Sequence, residues 1–471
     1  MTATTSTADL LFAGAARQAQ AVADGEVTSV ELVRATLDRI AERNPRLNAF
    51  RVVLGEEALA EAAAADERRA AGEGGVLNGV PVAIKDDADV AGLDTCHGTA
   101  TSRGRAVVDA DVVARLRAAG AVVVGKTHIP ELSMSPATDT TTYGSVRNPW
   151  DLRRTPGGSS GGSGAAAADG LCGVALGSDG AGSIRGPAAW CGLFGIKPTR
   201  DRVPMTPDAA DGWQGMAHRG PLARTVLDAA LFLDATVDDA PLEDGGFAAA
   251  VRAADPGRLR IAVSTKVPVG VVAPLGREER EALRGTAQRL RALGHDVVER
   301  DPDFPPSFWA AAYTRVLRGI ADQARDELDD PAVLEPRSRN VAAIGARIPD
   351  AAVRWARGAE DGIARRIEAL WDDVDVLLTP SCADGPYTAG TFTQHGTAWW
   401  LAFAARRIPY FAPYNLTGQP AASVPAGFDD DGLPLGVQLV GRPRDEATVL
   451  ALAAQLEQTH PWAQRRPGGR A

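Results

Sequence analysis

Residues 155–164 read TPGGSSGGSG and residues 177–185 read GSDGAGSIR, and these two stretches of small residues decide how the rest of the chain is interpreted. The first stretch alone allows three interpretations: a flexible linker, a phosphate-binding loop, or a tight active-site loop that exposes a serine hydroxyl. A linker is disfavoured because a helix-forming run, 165–168, and a strand candidate, 174–176, follow it closely. A phosphate loop needs a lysine after its last glycine, and none follows Gly164.

The second stretch favours the active-site loop. Gly180, Ala181 and Gly182 lead directly into Ser183, and consecutive small residues can direct several backbone N–H groups at one point. Acyl transfer requires such an oxyanion hole, which the N–H groups of these three residues and of Ser183 itself would form. The pattern therefore predicts a serine nucleophile.

A serine nucleophile needs a base, and the sequence offers a lysine. None of the six histidines lies near either loop along the chain; His97 and His128 are the nearest. Lys85 follows the apolar run 80–84 at the end of a predicted strand, and serine–lysine pairs are a known variant of nucleophile plus base. Lysine supplies four of the 50 basic residues, and a buried lysine, unlike arginine, can lose its proton. Chance persistence of a few lysines is the alternative.

Composition excludes several classes of function. The 471 residues carry a net charge of −10 and show no basic patch for a nucleic acid. The four cysteines (Cys96, Cys172, Cys191 and Cys382) are too widely spaced for a zinc motif or a disulfide framework, and we interpret them as free thiols. We expect neither a metal nor a cofactor. No secretory leader or membrane-spanning apolar run is recognised. We expect a cytoplasmic protein with a small-molecule substrate, no nucleic-acid or membrane partner, and a homodimer as the possible assembly.

Strand-like apolar runs alternate with helical patterns, which predicts an α/β fold. We expect one large domain, 1–471, with a mixed, mainly parallel central sheet covered by helices on both faces. Within it we expect an N-terminal helical segment over 1–70, a catalytic core over 75–200, and a more variable, partly helical substrate-side region over 240–400. Thr28 and Glu31 form a capping-box pattern for one N-terminal helix, which Asn44-Pro45 is expected to end.

Together these motifs resemble those of the amidase signature family over nearly the whole chain. The residues that carry the resemblance are Gly79–Pro81, Lys85-Asp86, Gly125–Thr127, Pro130-Glu131, Asn148–Trp150, 157–163, Asp179, Gly182–Arg185, Pro187-Ala188, 195–198, Asn415–Pro420 and Gly436–Gln438. Within that family the chain is similar to bacterial amidases of the aminohexanoate cyclic-dimer hydrolase type. That similarity is carried by 148–150, the helical N-terminus and the ending around Pro461-Trp462 and Arg465–Pro467.

The resemblance implies a catalytic triad of Lys85, Ser159 and Ser183, with Ser183 as the nucleophile and a cis peptide bond before Ser159. The second loop departs from the commonest family version, which has threonine at position 180 and glycine at 181. Both replacements are small, so the backbone donors of the oxyanion hole should be kept. We interpret Ser160 and Ser163 as hydrogen-bonding supports of the site, and Asp179 with Arg185 as a structural ion pair that holds the loop.

The predicted activity is hydrolysis of a linear carboxylic amide through a serine acyl-enzyme, with aliphatic, aryl or oligoamide substrates. The candidate pocket residues are Ile129, Met134 and Tyr143, with an aromatic group of Trp399, Trp400, Phe403 and Tyr410 expected at the mouth. Ordinary packing in the core is an equal alternative for these aromatic residues.

Two other functions stay open. One is a glutamine-dependent amidotransferase A-type subunit, which shares the family motifs and releases ammonia for tRNA-bound substrates; the acidic composition gives it little support. The other is a non-catalytic binding protein on the same fold, against which the intact Lys85, Ser159 and Ser183 argue.

Overall fold

A large mixed β-sheet runs through the protein in the computed structural model, which describes residues 6–206, 212–238 and 245–468. Its strands are β1 (Phe50–Val53), β2 (Pro81–Lys85), β3 (Val122–Thr127), β6 (Val174–Asp179), β7 (Phe194–Lys197), β8 (His218–Ala223), β9 (Arg260–Val263), β10 (Asp296–Glu299), β11 (Val376–Pro380), β12 (Ala421–Phe428) and β13 (Pro434–Val440). Two short strands, β4 (Asp139–Thr140) and β5 (Gly144–Ser145), pair separately from it.

Helices pack around this sheet. They are α1 (Thr7–Leu10), α2 (Gly14–Ala23), α3 (Ser29–Leu47), α4 (Glu56–Ala71), α5 (Asp111–Ala118), α6 (Gly161–Ala168), α7 (Arg185–Cys191), α8 (Gly212–Gly215), α9 (Val226–Thr236), α10 (Gly246–Ala253), α11 (Arg277–Ala292), α12 (Phe308–Glu327), α13 (Pro336–Ala346), α14 (Asp350–Gly358), α15 (Glu360–Glu368), α16 (Thr397–Phe403), α17 (Ala412–Leu416) and α18 (Glu446–Thr459). Short 3₁₀ turns occur at Glu131–Ser133, Pro331–Val333, Ala369–Asp372 and Trp462–Gln464.

The strands follow the order β1-β3-β2-β6-β8-β7-β12-β13-β11-β9-β10 across the sheet. In the described residues, β2 is parallel to β3 and β6, and β9 is parallel to β10 and β11, while the other neighbouring pairs are antiparallel. The prediction of one α/β domain on a mixed sheet is confirmed. Antiparallel pairs make up more of the sheet than the alternation of strands and helices indicates, because β7, β8, β12 and β13 join the two parallel blocks.

The N-terminal segment differs from the expectation in two places. The capping box is present, since the Thr28 and Glu31 side chains each accept from the backbone N–H of the other. The helix it starts, α3, continues through Pro45 to Leu47, because a proline in the last turn removes a single hydrogen bond. The segment is also not wholly helical: the apolar run of β1 pairs with β3 at the edge of the sheet.

The parallel block around β2 determines where the glycine-serine stretches lie. Lys85 is the last residue of β2, and Ser178 and Asp179 end the neighbouring strand β6. Because parallel strands end at the same edge of a sheet, these residues come together there. The first stretch starts α6, whose Gly162 lies so close to the edge that a Cβ would fall 2.6 Å from the His128 backbone oxygen.

Candidate active site

Lys85 is fully buried at the end of β2. Its Nζ lies 2.6 Å from Ser159 Oγ and 3.1 Å from Asp87 Oδ2, and a third contact joins it to Ser178 Oγ at 2.6 Å. Burial lowers the pKa of Lys85 below its ordinary value, although the negative charge of Asp87 opposes the shift. Arg219 adds to the lowering. A lysine whose charged form is disfavoured can accept a proton from a hydroxyl.

Asp87 and Ser178 belong to the same cluster, and the sequence analysis assigned neither a role. Ser178 Oγ donates to Asp87 Oδ2 at 2.5 Å. Burial alone would raise the pKa of Asp87, but Lys85, Arg219 and the Ser178 hydrogen bond lower it to about 2. The sequence feature that could have identified Asp87 is its position two residues after Lys85, at the end of the strand. The feature that could have identified Ser178 is its position just before Asp179.

Ser159 and Ser183 line one cavity. The Gly158–Ser159 peptide bond is cis, the arrangement that the family resemblance implies. Ser159 is 1% exposed and accepts the hydrogen bond from Lys85, whereas Ser183 is partly exposed and borders the cavity. The structure thus brings the three predicted triad residues to one place.

Asp179 and Arg185 form the predicted ion pair, and both are fully buried. Arg185 Nη2 lies 2.8 Å from Asp179 Oδ1, and its Nε lies 2.9 Å from Oδ2. The Asp179 carboxylate also accepts from the N–H groups of Gly182 at 2.7 Å and Ile184 at 3.1 Å. Burial would raise the pKa of Asp179, but Arg185 and these donors hold it well below its usual range. The pair therefore fixes the loop that presents Ser183.

The same arginine joins the loop to the C-terminal part of the chain. Its guanidinium donates to Asn415 Oδ1 at 2.6 Å and to Gln438 Oε1 at 2.7 Å. Asn415 in turn donates to the Asp179 backbone oxygen at 2.7 Å. These hydrogen bonds give Asn415 and Gln438, which lie in the motifs around 415–420 and 436–438, a structural role that the sequence analysis did not assign.

The structure leaves fewer donors for the predicted oxyanion hole than the sequence analysis proposed. Of its four proposed donors, Gly182 already donates its N–H to Asp179, so it is not available to a substrate oxygen. The proposal therefore rests on the N–H groups of Gly180, Ala181 and Ser183. Ser160 is hydrogen-bonded to the loop: its N–H donates to the Ser183 backbone oxygen at 3.3 Å, and its Oγ donates to the Ser178 backbone oxygen at 3.2 Å.

Ser163 supports the strands behind the site. Its Oγ lies 2.8 Å from Thr127 Oγ1 and donates to the Leu176 backbone oxygen at 2.8 Å. The hydroxyl thus joins α6 to both β3 and β6.

Two cavities meet at Ser183. The polar cavity has a volume of about 340 Å³ and is lined by Ser159, Ser178, Asp87, Arg219 and Gln323, among others. The apolar cavity has a volume of about 90 Å³, and its walls include Met134, Trp309, Tyr313, Val316 and Trp400. Ser133, Ser183 and Trp213 line both.

The predicted pocket residues divide into two groups. Met134 and Trp400 line the apolar cavity, whereas the other five lie elsewhere in the described structure. Ile129 is buried in the core, Tyr143 packs on His128 and donates to Thr99, and Tyr410 is 3% exposed. Trp399 and Phe403 pack on each other, with His395 and Phe392 also against Trp399. The structure therefore places these five residues in other parts of the core or surface, away from the walls of the two cavities at Ser183.

The sequence analysis missed the main wall of the apolar cavity. Trp309, Ala312, Tyr313 and Val316 come from one face of α12, and Trp213 comes from α8. Their only signal is the helical spacing of the four α12 residues, which indicates a buried face without indicating what that face contacts.

No metal cluster or membrane span is found within the described ranges. No group of three or more histidine, cysteine, aspartate or glutamate side chains there is placed to hold a metal ion. All four cysteines are buried and unbridged. No described helix has the length and apolar character needed to cross a bilayer.

Comparisons with known proteins agree with the motifs. The amidase family model matches residues 31–450. A Mycobacterium tuberculosis protein named as the amidase AmiB2 is 53% identical over 460 residues, which cover 98% of each chain. A solved 6-aminohexanoate cyclic dimer hydrolase superposes with a TM-score of 0.88 at 34% identity, over 97% of this chain and 99% of that one.

A more distant solved neighbour is the A-type subunit of glutamyl-tRNA(Gln) amidotransferase from Thermotoga maritima, with a TM-score of 0.77 and 26% identity over 96% of each chain. The family resemblance and the similarity to cyclic-dimer hydrolases are both confirmed. By the family match over most of its length and by its relative at 53% identity, this chain belongs to the amidase family of amide-hydrolysing enzymes.

Proposed function

We propose that the protein hydrolyses a linear carboxylic amide through an acyl-enzyme on Ser183, with Ser159 as the proton relay and Lys85 as the base. The observation that carries this proposal is the 2.6 Å hydrogen bond between Lys85 Nζ and Ser159 Oγ, beside a cavity that both serines line. A lysine with a lowered pKa and a hydroxyl in contact with it are the elements that serine–lysine nucleophile activation needs.

The acylation step transfers two protons. Neutral Lys85 takes the hydroxyl proton of Ser159, which takes the hydroxyl proton of Ser183 as Ser183 Oγ bonds to the amide carbon. The carbonyl oxygen becomes an oxyanion, which the N–H groups of Gly180, Ala181 and Ser183 stabilise. When the C–N bond breaks, Ser159 gives its proton to the departing amine and recovers one from Lys85.

Deacylation uses the same relay with water. Ser159 passes its own proton to neutral Lys85 and takes one from the attacking water, which bonds to the ester carbon. When the ester bond breaks, Ser159 gives a proton to Ser183 Oγ and recovers one from Lys85, and the carboxylic acid leaves. Each donor of the oxyanion hole is expected to contribute about 3–4 kcal/mol to the lowering of the barrier.

The apolar cavity supports a substrate whose acyl group is aliphatic, aryl or part of an oligoamide. Within the described part of the chain, the residues that line this cavity carry no charged side chain. Burial there should contribute about 0.8 kcal/mol for each methylene of the acyl chain. A glutamyl group would bring an ammonium and a carboxylate into the apolar cavity, where no described side chain carries a matching charge, so the amidotransferase alternative is disfavoured.

A panel of acyl amides tests this function. We expect kcat/KM to rise along a series from acetyl to hexanoyl amides of one amine, with glutamine and a cyclic diamide included for comparison. Glutamine should be a poor substrate. Strong glutaminase activity with a flat acyl-length profile would instead support the amidotransferase function, and co-purification of partner subunits would be its second sign.

Location and assembly stay predictions from the sequence. Cell fractionation tests the cytoplasmic location, and light scattering of the purified protein tests the homodimer.

A further inference from the structure

Trp213 is the one aromatic residue, within the described residues, that lines both cavities at Ser183. Its ring lies against the oxyanion loop, because a Cβ added to Gly180 would fall 2.6 Å from Trp213 Cε3. Position 180 is where the common family version has threonine. The smaller residue here leaves the space that the tryptophan ring fills.

The backbone of Trp213 is held in an uncommon conformation. Trp213 has φ 51° and Gln214 has φ 57°, values in the left-handed region that non-glycine residues adopt only when their surroundings enforce them. Arg315, which is 1% exposed, donates to the Gln214 backbone oxygen at 2.9 Å from Nε and 2.6 Å from Nη2. The tryptophan is therefore anchored from the α12 side.

Two further contacts fix the ring. Trp213 Nε1 donates to Gln323 Oε1 at 3.2 Å. A Cβ at Gly319 would fall 2.4 Å from Trp213 Cα, so this glycine allows α12 to approach closely. Trp213 is thus packed between α12 and the loop before Ser183.

The two cavities differ in their access to the proton relay. Side chains of the relay and of its charged neighbours, Ser159, Ser178 and Asp87, line the polar cavity. The apolar cavity meets this region at Gly158 and Ser183, and its remaining described walls are mostly apolar. If Ser159 returns the proton to the departing amine, as the proposed function requires, the amine leaves on the polar side. The acyl group then occupies the apolar side.

We propose that Trp213 is a specificity-determining residue that separates an apolar acyl compartment from a polar amine compartment. This proposal rests on the proposed function. It assigns the substrate as an amide of an apolar carboxylic acid with an amine that carries a further polar group.

Two matched substrate series test the assignment. One series varies the acyl chain from acetyl to octanoyl on a fixed amine; the other keeps a butanoyl group and compares butylamine with 4-aminobutanol. For the wild-type enzyme we expect kcat/KM to rise roughly fourfold per acyl methylene until the compartment is full. We also expect the amide of 4-aminobutanol to be preferred over the amide of butylamine.

Three variants complete the test. Trp213→Ala should reduce the acyl slope to below about twofold per methylene and remove the preference for the polar amine, because the compartments merge. Trp213→Phe keeps a wall of similar size and should keep the wild-type slope. Val316→Ala, which enlarges the acyl compartment alone, should extend the rise to longer chains without changing the amine preference.

Other results would overturn the proposal. If Trp213→Ala keeps the wild-type rise in kcat/KM per acyl methylene and the wild-type preference for the polar amine, Trp213 does not divide the site. If kcat/KM of the wild-type enzyme rises with the length of the amine instead of the acyl chain, the two compartments are assigned the wrong way round. If Trp213→Ala fails to fold, Trp213→Leu, which also shortens the dividing side chain, takes its place with the same expected result, while the wild-type series and Val316→Ala test which compartment holds the acyl group. Labelling of Ser183 by a fluorophosphonate probe separates the two proposals. If Ser183 is not labelled, the proposed function fails. If Ser183 is labelled but Trp213→Ala leaves the substrate selectivity unchanged, only the assignment of Trp213 fails.

Discussion

The two sides of the cleft around Ser183 are built differently. The floor, which consists of Lys85 with residues 157–163 and 177–185, is made of small residues and buried charged groups that hydrogen-bond to each other. The roof, which consists of Trp213, α12 and residues 399–412, faces the apolar cavity with mostly aromatic and aliphatic side chains, and the C-terminal end of α12 lines the polar cavity with Asp322, Arg325, Asp326 and Glu327. In the proposed function, the floor performs the chemistry and the roof selects the substrate, and the predictions below compare the two.

The largest expected effect is on the floor, at Lys85. Lys85→Arg keeps the positive charge but removes the base, because arginine does not lose its proton. We expect kcat to fall by about 10²–10⁴-fold, the usual range for the loss of general base catalysis. Steady-state kinetics on a butanoyl amide measures it.

Lys126 offers the matched control for that variant. It is also fully buried, on the neighbouring strand β3, but its Nζ contacts Asp86 at 2.9 Å and Thr95 at 2.7 Å and has no contact with a serine of the site. Lys126→Arg should keep kcat within about tenfold of wild type, since it removes no catalytic group. Equal losses in both variants would contradict the role of Lys85 as the base.

The second effect compares ion pairs of the floor and the roof. Arg185→Met leaves Asp179 buried without its partner, which should lower the free energy of unfolding by about 3–5 kcal/mol. Arg325 on α12 pairs with Asp326 at 2.7 Å but is 62% exposed. Arg325→Met should therefore change the free energy of unfolding by less than about 1 kcal/mol. Urea unfolding of both variants measures the difference, and similar values would remove the distinction between floor and roof.

The third effect is on the pH dependence. Because the reaction needs neutral Lys85, kcat/KM should rise with pH by about tenfold per unit below the lowered pKa of Lys85 and then level off. Asp87 raises this pKa and Arg219 lowers it. Asp87→Asn should therefore move the rising limb to lower pH, and Arg219→Gln should move it to higher pH. Shifts in the same direction would contradict this electrostatic account.

The smallest expected effect on kcat/KM comes from the contact between the roof and the floor, at Trp213 and Gly180. Gly180→Thr should displace Trp213, since a Cβ at position 180 meets the ring at 2.6 Å. The loss in kcat/KM should be partly reversed in the double variant Gly180→Thr with Trp213→Ala. A double-mutant cycle should give a coupling of about 0.5–3 kcal/mol, whereas additive effects would mean that the two residues do not constrain each other.

The sequence predicted the floor better than the roof, for a physical reason. Lys85 ends one strand, and Ser183 follows the end of the strand beside it, so strand endings and motifs alone brought them together. Asp87 was missed because a carboxylate two residues beyond a strand can face several ways. The scarcity of lysine was informative but not sufficient, since Lys126 and Lys197 are as buried as Lys85 and contact no serine hydroxyl of the triad.

The roof depends on contacts between segments far apart in the chain. Trp309 and Val316 lie more than a hundred residues after Ser183, and helical spacing does not show which surface they meet. Trp399 and Trp400 are adjacent, yet the first packs on His395 and the second lines the cavity. Successive residues of a helix point about 100° apart, so their adjacency in the sequence does not show that both face the same cavity.

The most direct test of the central role of Ser183 is covalent labelling. The protein should be treated with a fluorophosphonate probe, digested, and mapped by mass spectrometry. We expect one adduct, on Ser183, and neither an adduct nor turnover in Ser183→Ala. An adduct on Ser159 or another serine, or full turnover in Ser183→Ala, would contradict the account.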